Sequence, residues 1–316
     1  MYLCYLFSYF KTVLDIFMIQ KPNFFIVGAA KSGTTALYEY LKKHPDIFIP
    51  AKELYYFGKD FTFREAHTPL DYYLSFFETI PPKIKQIGEA SVWYLYSKTA
   101  AAEIKAFQPK AKIIIMLREP TEMLYSLHSQ LLYSGNECIE NFELALQAEP
   151  MRKKGEQLPP YIGSPYEALY YSQVPKYYEQ VKRYIDTFGS ENVHIILFDE
   201  FVENTKMVYQ KCLDFLALPA IDINFERVNS NKAVRFAGLR DFLKRRPKFL
   251  IKLSKLILPY RPWRHRVQDF LYALNSKKQE RKPMNEETRA FLKMAFREDT
   301  KKLEKLIQRN LKYWYE

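Results

Sequence analysis

Apolar runs alternate with amphipathic stretches along most of this chain, and the alternation sets the expected architecture. After Pro22 the run NFFIVG enters a glycine and predicts a buried first strand. Thr34 to Lys43 (TTALYEYLKK) has helical composition and stops before His44-Pro45. QIGEAS predicts a short second strand. KIIIML, from Lys112 to Leu117, is β-branched and apolar on both faces, the pattern of a strand covered by helices on either side. Helical patterns occupy 121–133 and 166–188, VHIILF (193–198) predicts another strand, and an amphipathic helix runs from about Phe201 to Leu216. Strands alternating with helices predict an α/β fold of three layers, α/β/α, around a central parallel sheet. No strand is predicted in 239–316, which reads as helices and a basic loop belonging to the same domain.

Composition changes this picture little. A chain of 316 residues, 48% of them hydrophobic, can bury a large core. The expected organisation is an apolar extension over 1–21 and one domain over 22–316. The extension, MYLCYLFSYFKTVLDIFMI, is broken by Lys11 and Asp15. It falls short of the uninterrupted span of about 20 apolar residues that crosses a bilayer, and it lacks the flanks of a cleavable signal. A packing or interfacial helix is expected there. Cys4, Cys138 and Cys212 form no C-x-x-C pair and no zinc spacing, which suits a reducing compartment and a cytoplasmic location.

Charge changes the picture more. The net charge is +12, yet between Lys232 and Lys282 sixteen Lys/Arg face three Asp/Glu, so this segment alone accounts for the basic balance. Within it LRDFLKRRPKFLIKLSKLIL (239–258) mixes leucines and phenylalanines with basic residues, the composition of a helix that meets anionic lipid or an acidic polymer. A solvated face over a core stripe is the plain alternative.

The chemistry-bearing turn is Gly28-Ala-Ala-Lys31-Ser32-Gly33-Thr34-Thr35. A strand, a glycine turn and then a helix together aim backbone N–H groups and a helix N-terminus at an anion. The two glycines have the offset of a triphosphate-binding loop, but Thr34 stands where that motif carries its lysine, and the lysine lies inside the loop as Lys31. The strand KIIIML ends in Arg118, where a nucleoside triphosphatase has a metal-binding acid. The turn is thus built for an anion without a divalent ion.

On these residues the chain resembles the sulfotransferases that use 3′-phosphoadenosine 5′-phosphosulfate (PAPS). FFIVGAAKSGTTALYEYL followed by HPDIFIPAKELYYF is similar to their 5′-phosphosulfate region, most closely that of bacterial and heparan-sulfate-type members. IIIMLREPTEMLYSLHSQ resembles their 3′-phosphate element, an arginine at a strand end with a serine eight residues later. The similarity extends over about 22–316 and implies a P-loop NTPase-like fold, PAPS as co-substrate, no metal and no nucleic acid. It assigns Lys31, Ser32, Gly33, Thr34 and Thr35 to the phosphosulfate, and Arg118 and Ser126 to the 3′-phosphate. Lys232 and Arg235 (NKAVRF) resemble the basic loop that closes over the nucleotide. Glu53 falls at the position of the catalytic glutamate of heparan-type members, with Lys31 as the partner of the leaving oxygen. An ion pair of Glu53 with Lys52 or Lys59 is the plain alternative.

Two departures bear on the acceptor. Met123 stands where some members have another arginine, and Ala90 follows Glu89 where heparan-type members have lysine. The acceptor implied is a hydroxyl or amine of a glycan, glycolipid or small metabolite, with membrane contact through 239–258. His128 is expected to be structural, His67 lies in an aromatic stretch that could line the acceptor pocket, and Glu89 could orient Lys31 or the acceptor. Two other classes stay open: a P-loop kinase, and a non-catalytic protein binding an anionic polymer or membrane.

Overall fold

A computed structural model of the protein describes residues 20–61, 68–160, 162–226, 232–236, 238–241, 274–278 and 281–316. Its centre is a five-stranded parallel sheet in the order β2-β3-β1-β4-β5. The strands are β1 (Phe24–Gly28), β2 (Ile47–Phe48), β3 (Gln86–Ala90), β4 (Lys112–Leu117) and β5 (Val193–Leu197). Each apolar run expected to be a strand is one. The reason is burial on both faces: Phe25 and Val27 enter one apolar cluster while Phe24 and Ile26 enter the other. Ile113, Ile114 and Ile115 are fully buried, and each such side chain contributes about 1.5–3 kcal/mol by leaving water.

One face of the sheet is covered by α1 (Thr34–Leu41), α8 (Phe198–Glu203) and α9 (Thr205–Phe215). The other carries α3 (Ala100–Phe107), α4 (Pro120–Ser134), α7 (Tyr177–Phe188) and α10 (Glu286–Ile307). The three-layer α/β/α fold is therefore present. The shorter helices are α2 (Leu70–Ser75), α5 (Phe142–Gln147) and α6 (Glu149–Arg152), and Tyr73, Phe142 and Ala145 join the larger apolar cluster. No helix among the described residues is long and apolar enough to cross a membrane.

Three local expectations are corrected. The helix expected over 166–188 is a 3-10 turn at Tyr166–Leu169 followed by α7 from Tyr177. Pro175 lacks an N–H and drives Val174 away from helical geometry, so the pattern cannot continue through it. The helix expected over 201–216 is split into α8 and α9, because Asn204 accepts from the Met207 N–H at 3.0 Å and starts a new helix. The C-terminal part does contain a strand: β7 (Ser276–Lys278) pairs antiparallel with β6 (Lys232–Val234). Three polar residues carry no periodicity that would announce it. Residues 1–19, His67 and 242–258 of the basic segment lie outside the described residues.

Candidate active site

The order of the sheet reverses at β1, which has β3 on one side and β4 on the other. In an open parallel sheet this reversal leaves a crevice at the strand ends, where ligands bind. The loop leaving β1 lies in it. Gly28 has φ +154°, and a Cβ there would stand 2.6 Å from Leu95 Cβ and 2.7 Å from Val92 O. Glycine lets the turn after β3 close against the loop. Gly33 has φ +91°, and the ring of Phe198 and the Met116 side chain fill the space beside it.

The N-terminus of α1 is open. No side chain caps it, no acidic residue occupies its first turn, and its first internal bonds run from Ala36 N–H and Leu37 N–H to Gly33 O. The preceding N–H groups therefore face the loop, with the positive end of the helix dipole behind them. Ser32 is fully buried and its hydroxyl donates to Ala30 O at 3.4 Å, so it shapes the loop from within. Thr35 Oγ1 accepts from Lys52 Nζ at 2.6 Å.

Among the described residues, four cations surround this loop. Lys31, itself at φ 59°, donates through Nζ to Gln130 Oε1 at 3.2 Å. Burial, together with the Arg281, Arg118 and Lys52 charges nearby, holds its ammonium down to about 8. Lys52 is also lowered by burial, against the opposing pull of Glu53 and Glu39. The Arg118 guanidinium lies over the Phe198 ring at 4.6 Å, reaches Lys31 O at 3.5 Å and pairs with Glu122 at 3.5 Å. Arg281 donates to Ser126 Oγ at 3.3 Å and covers the Tyr125 ring at 5.3 Å. Its guanidinium is lowered by burial and by Arg118. Cations so crowded repel one another, and the arrangement is relieved by a ligand with several negative charges.

The structure thus gathers Lys31, Gly33, Thr34, Thr35, Arg118 and Ser126 around the loop that leaves β1. Lys52, Gln130 and Arg281 are additions. Glu122, Ser126 and Gln130 recur every four residues along α4, so one helical face points all three at the loop. That spacing was readable; the arrival of Arg281 was not. It depends on the β6–β7 pairing, which carries the chain back across α4. Lys232 lies in β6, where its side chain is not described, and the exposed Arg235 donates its backbone N–H to Asn275 O at 2.8 Å.

Glu53 sits across from the loop. It has φ 61°, stands 3.9 Å from Lys52 Nζ and accepts from the Val92 N–H at 3.3 Å. Burial raises its carboxyl above the usual range, although Lys52 and hydrogen bonds from Tyr55 and Val92 oppose this. Its side chain keeps 30% of its surface, so a reactant can reach it. His128, as expected, is structural. It is buried, shares a 2.9 Å hydrogen bond with Ile139 O and packs on Phe142 and Tyr171. Glu89 does not reach Lys31. It points into the apolar layer, where Ser91 and Tyr73 donate to it.

A cationic crevice beside an open helix N-terminus, with the Glu53 carboxyl across from it, suits a ligand with several negative charges. Residues 21–304 match the sulfotransferase domain family, and the chain belongs to it. A sulfotransferase from Alicyclobacillus acidocaldarius shares the fold with a TM-score of 0.67 at 29% identity, over 94% of this chain and 100% of that one. Among curated proteins, mouse carbohydrate sulfotransferase 15 is 28% identical over 248 residues, 62% of this chain and 44% of that protein. Mouse bifunctional heparan sulfate N-deacetylase/N-sulfotransferase 4 is 35% identical over 109 residues, 33% of this chain and 12% of that protein. The chain therefore spans less than half the length of these two relatives.

Proposed function

We propose that this protein transfers a sulfuryl group from PAPS to a hydroxyl or amine of a glycan-like acceptor. The observation that carries the reading is the pair of cationic clusters about one crevice: Lys31 and Lys52 at the open N-terminus of α1, and Arg118 with Arg281 flanking Ser126. PAPS has two anionic ends, the 5′-phosphosulfate and the 3′-phosphate, and supplies the activated sulfuryl group. The first cluster suits the phosphosulfate and the second the 3′-phosphate, because guanidiniums fork onto phosphate oxygens.

In the transfer, the acceptor oxygen or nitrogen bonds to sulfur as the bond from sulfur to the bridging phosphate oxygen breaks. Lys31 stabilises the negative charge that gathers on that leaving oxygen, and adenosine 3′,5′-bisphosphate departs. Glu53 takes the proton that the acceptor loses. Lys52, between Thr35 and Glu53, fixes the spacing of donor and acceptor sides. The names of the relatives above, heparan sulfate and carbohydrate sulfotransferases, support a glycan acceptor.

Two measurements test the donor site. Adenosine 3′,5′-bisphosphate is expected to bind at least tenfold tighter than ATP, with its affinity unchanged by EDTA, because an arginine stands where a triphosphatase holds its metal acid. Tighter, magnesium-dependent ATP binding in calorimetry would overturn PAPS as the donor.

The second uses the titration of Lys31. A lysine held at about 8 in the free protein is partly neutral at pH 8.5, and an anion bound against it drives it back to the ammonium form. Binding at pH 8.5 should therefore take up protons, whereas at pH 6.5 Lys31 is already charged and contributes none. The ligand phosphates, with second pKa values near about 6, are deprotonated at the higher pH and do not mask the effect. Calorimetry in two buffers of different ionisation enthalpy reads the count, and Lys31→Arg should abolish it. Uptake that persists in Lys31→Arg would place the titrating group elsewhere.

A further inference from the structure

Glu89 is a fully buried carboxyl that the chemistry above does not use, and it lies at the centre of a connected set of hydrogen bonds. Ser91 Oγ donates to its Oε1 at 2.6 Å, and Tyr73 Oη lies 3.4 Å from its Oε2. Tyr94 is a further hydrogen-bond partner. The same Ser91 oxygen accepts from the Tyr55 N–H at 3.4 Å, and the Tyr94 oxygen accepts from the N–H groups of Tyr56 and Phe57 at 3.0 and 3.3 Å. Three successive backbone donors of the turn that carries Glu53 thus end on two hydroxyls, and both hydroxyls lead to Glu89.

The turn needs such an anchor. Glu53 and Tyr55 lie at φ 61° and 50°, a left-handed conformation that side chains other than glycine adopt at a cost of about 1 kcal/mol or more each. A local sequence of ELYYF would not hold it unaided. Packing supplies part of the support: Tyr56 stacks on Tyr73 with centroids 4.5 Å apart, and Phe57 meets Phe25, Tyr73 and Tyr94 edge-on. Aromatic contacts fix the depth of the turn, but not the rotation of its peptide groups. The hydrogen bonds to Ser91 and Tyr94 fix that rotation.

We propose that Glu89 is a positioning residue for the acceptor side: through Ser91 and Tyr94 it holds residues 53–57 in the left-handed turn that presents Glu53 beside Lys52 and the phosphate loop. The inference rests on the reading of Glu53 as the base. Burial pushes the Glu89 carboxyl up to about 8, against hydrogen bonds from Ser91 and Tyr94, so at neutral pH it is the neutral acid. An uncharged acid can hold the hydroxyls without the desolvation cost that a buried carboxylate would impose. Glutamine has nearly the same shape and can do the same.

The test compares Glu89→Gln, Glu89→Leu and Tyr94→Phe in the full chain, following kcat, adenosine 3′,5′-bisphosphate affinity and thermal midpoint. Glu89→Leu and Tyr94→Phe are expected to lower kcat by about tenfold to a hundredfold, the scale of an ångström of misplacement. Nucleotide affinity should stay within about twofold, since no nucleotide-binding side chain belongs to the network. Glu89→Gln should retain most of the parent kcat. Should Glu89→Leu fail to fold, Tyr94→Phe carries the test, because it keeps the ring and removes only the oxygen. Parent-level kcat in Tyr94→Phe, or a fall in nucleotide affinity in step with kcat, would overturn the proposal. Glu89→Gln as damaging as Glu89→Leu would do the same. Glu53→Gln in parallel separates the two readings. If it is inactive while Tyr94→Phe is normal, only the positioning role fails; if it is fully active, the base assignment fails and the positioning role with it.

Discussion

Replacing Glu53 by glutamine is expected to lower kcat by about 10²–10⁴-fold while leaving the affinity for adenosine 3′,5′-bisphosphate nearly intact. The amide keeps the size of the side chain and can still accept from the Val92 N–H, so the turn should hold its place. Only basicity is lost. Burial raises the Glu53 carboxyl, so in the parent protein kcat should fall as pH drops through a value above the ordinary range for glutamate. That limb should vanish in the variant, because the group that titrated is gone. Lys31→Ala provides the contrast. It removes a charge from the donor side, so both kcat and nucleotide affinity should decline. A Glu53→Gln enzyme with parent kcat and an unchanged low-pH limb would place the base elsewhere. His128, buried against Ile139 O, and Glu89, enclosed by Tyr73, Ser91 and Tyr94, are both poorly placed for the role. His67 would be the next residue to replace.

Four of the five sheet strands were legible, and the central ones most clearly, because NFFIVG and KIIIML are apolar on both faces; the two-residue edge strand Ile47–Phe48 was too short to announce itself. The donor loop was legible for a similar reason. Glycines at 28 and 33 answer to close packing and a positive φ, and a lysine between them has few structural duties. The acceptor side was less legible. Glu53 was found through resemblance, and the bonds that hold its turn run from 55–57 to 91 and 94, a sequence separation that periodicity does not reach. Arg281 illustrates the same limit. It lies 155 residues from Ser126, and two strands of only three residues each bring the two together. Where the helices broke, the cause was local: Pro175 and Asn204 each interrupt a pattern whose apolar spacing continues past them. Arg240 shows that the basic segment is tied to the domain at its start. It donates to Leu132 O at 2.6 Å in the last turn of α4, where a cation meets the negative end of the helix dipole.

Arg118→Ala is expected to weaken adenosine 3′,5′-bisphosphate by about 10–100-fold and to leave adenosine 5′-monophosphate little changed. The loss of one charge-assisted hydrogen bond is worth about 1.5–3 kcal/mol, and each 1.4 kcal/mol is tenfold in affinity. Arg281→Ala should show the same nucleotide selectivity, since its guanidinium lies beside Arg118 and donates to Ser126. The two effects should not add. In the free protein the guanidiniums repel one another, so removing either relieves the other. On the proposed assignment both face one phosphate in the complex, and a double-mutant cycle should give a coupling energy outside the error of independent sites. Ser126→Ala should cost less, because a neutral hydroxyl contributes a weaker bond than either cation. The measurement is calorimetric titration of both nucleotides against the parent, the three single variants and the double. Comparable losses for the two nucleotides in Arg118→Ala would show that this arginine serves the 5′ end, which it approaches through Lys31 O. The 3′-phosphate would then fall to Arg281 and Ser126 alone, and Arg281→Ala would be the variant that separates the ligands.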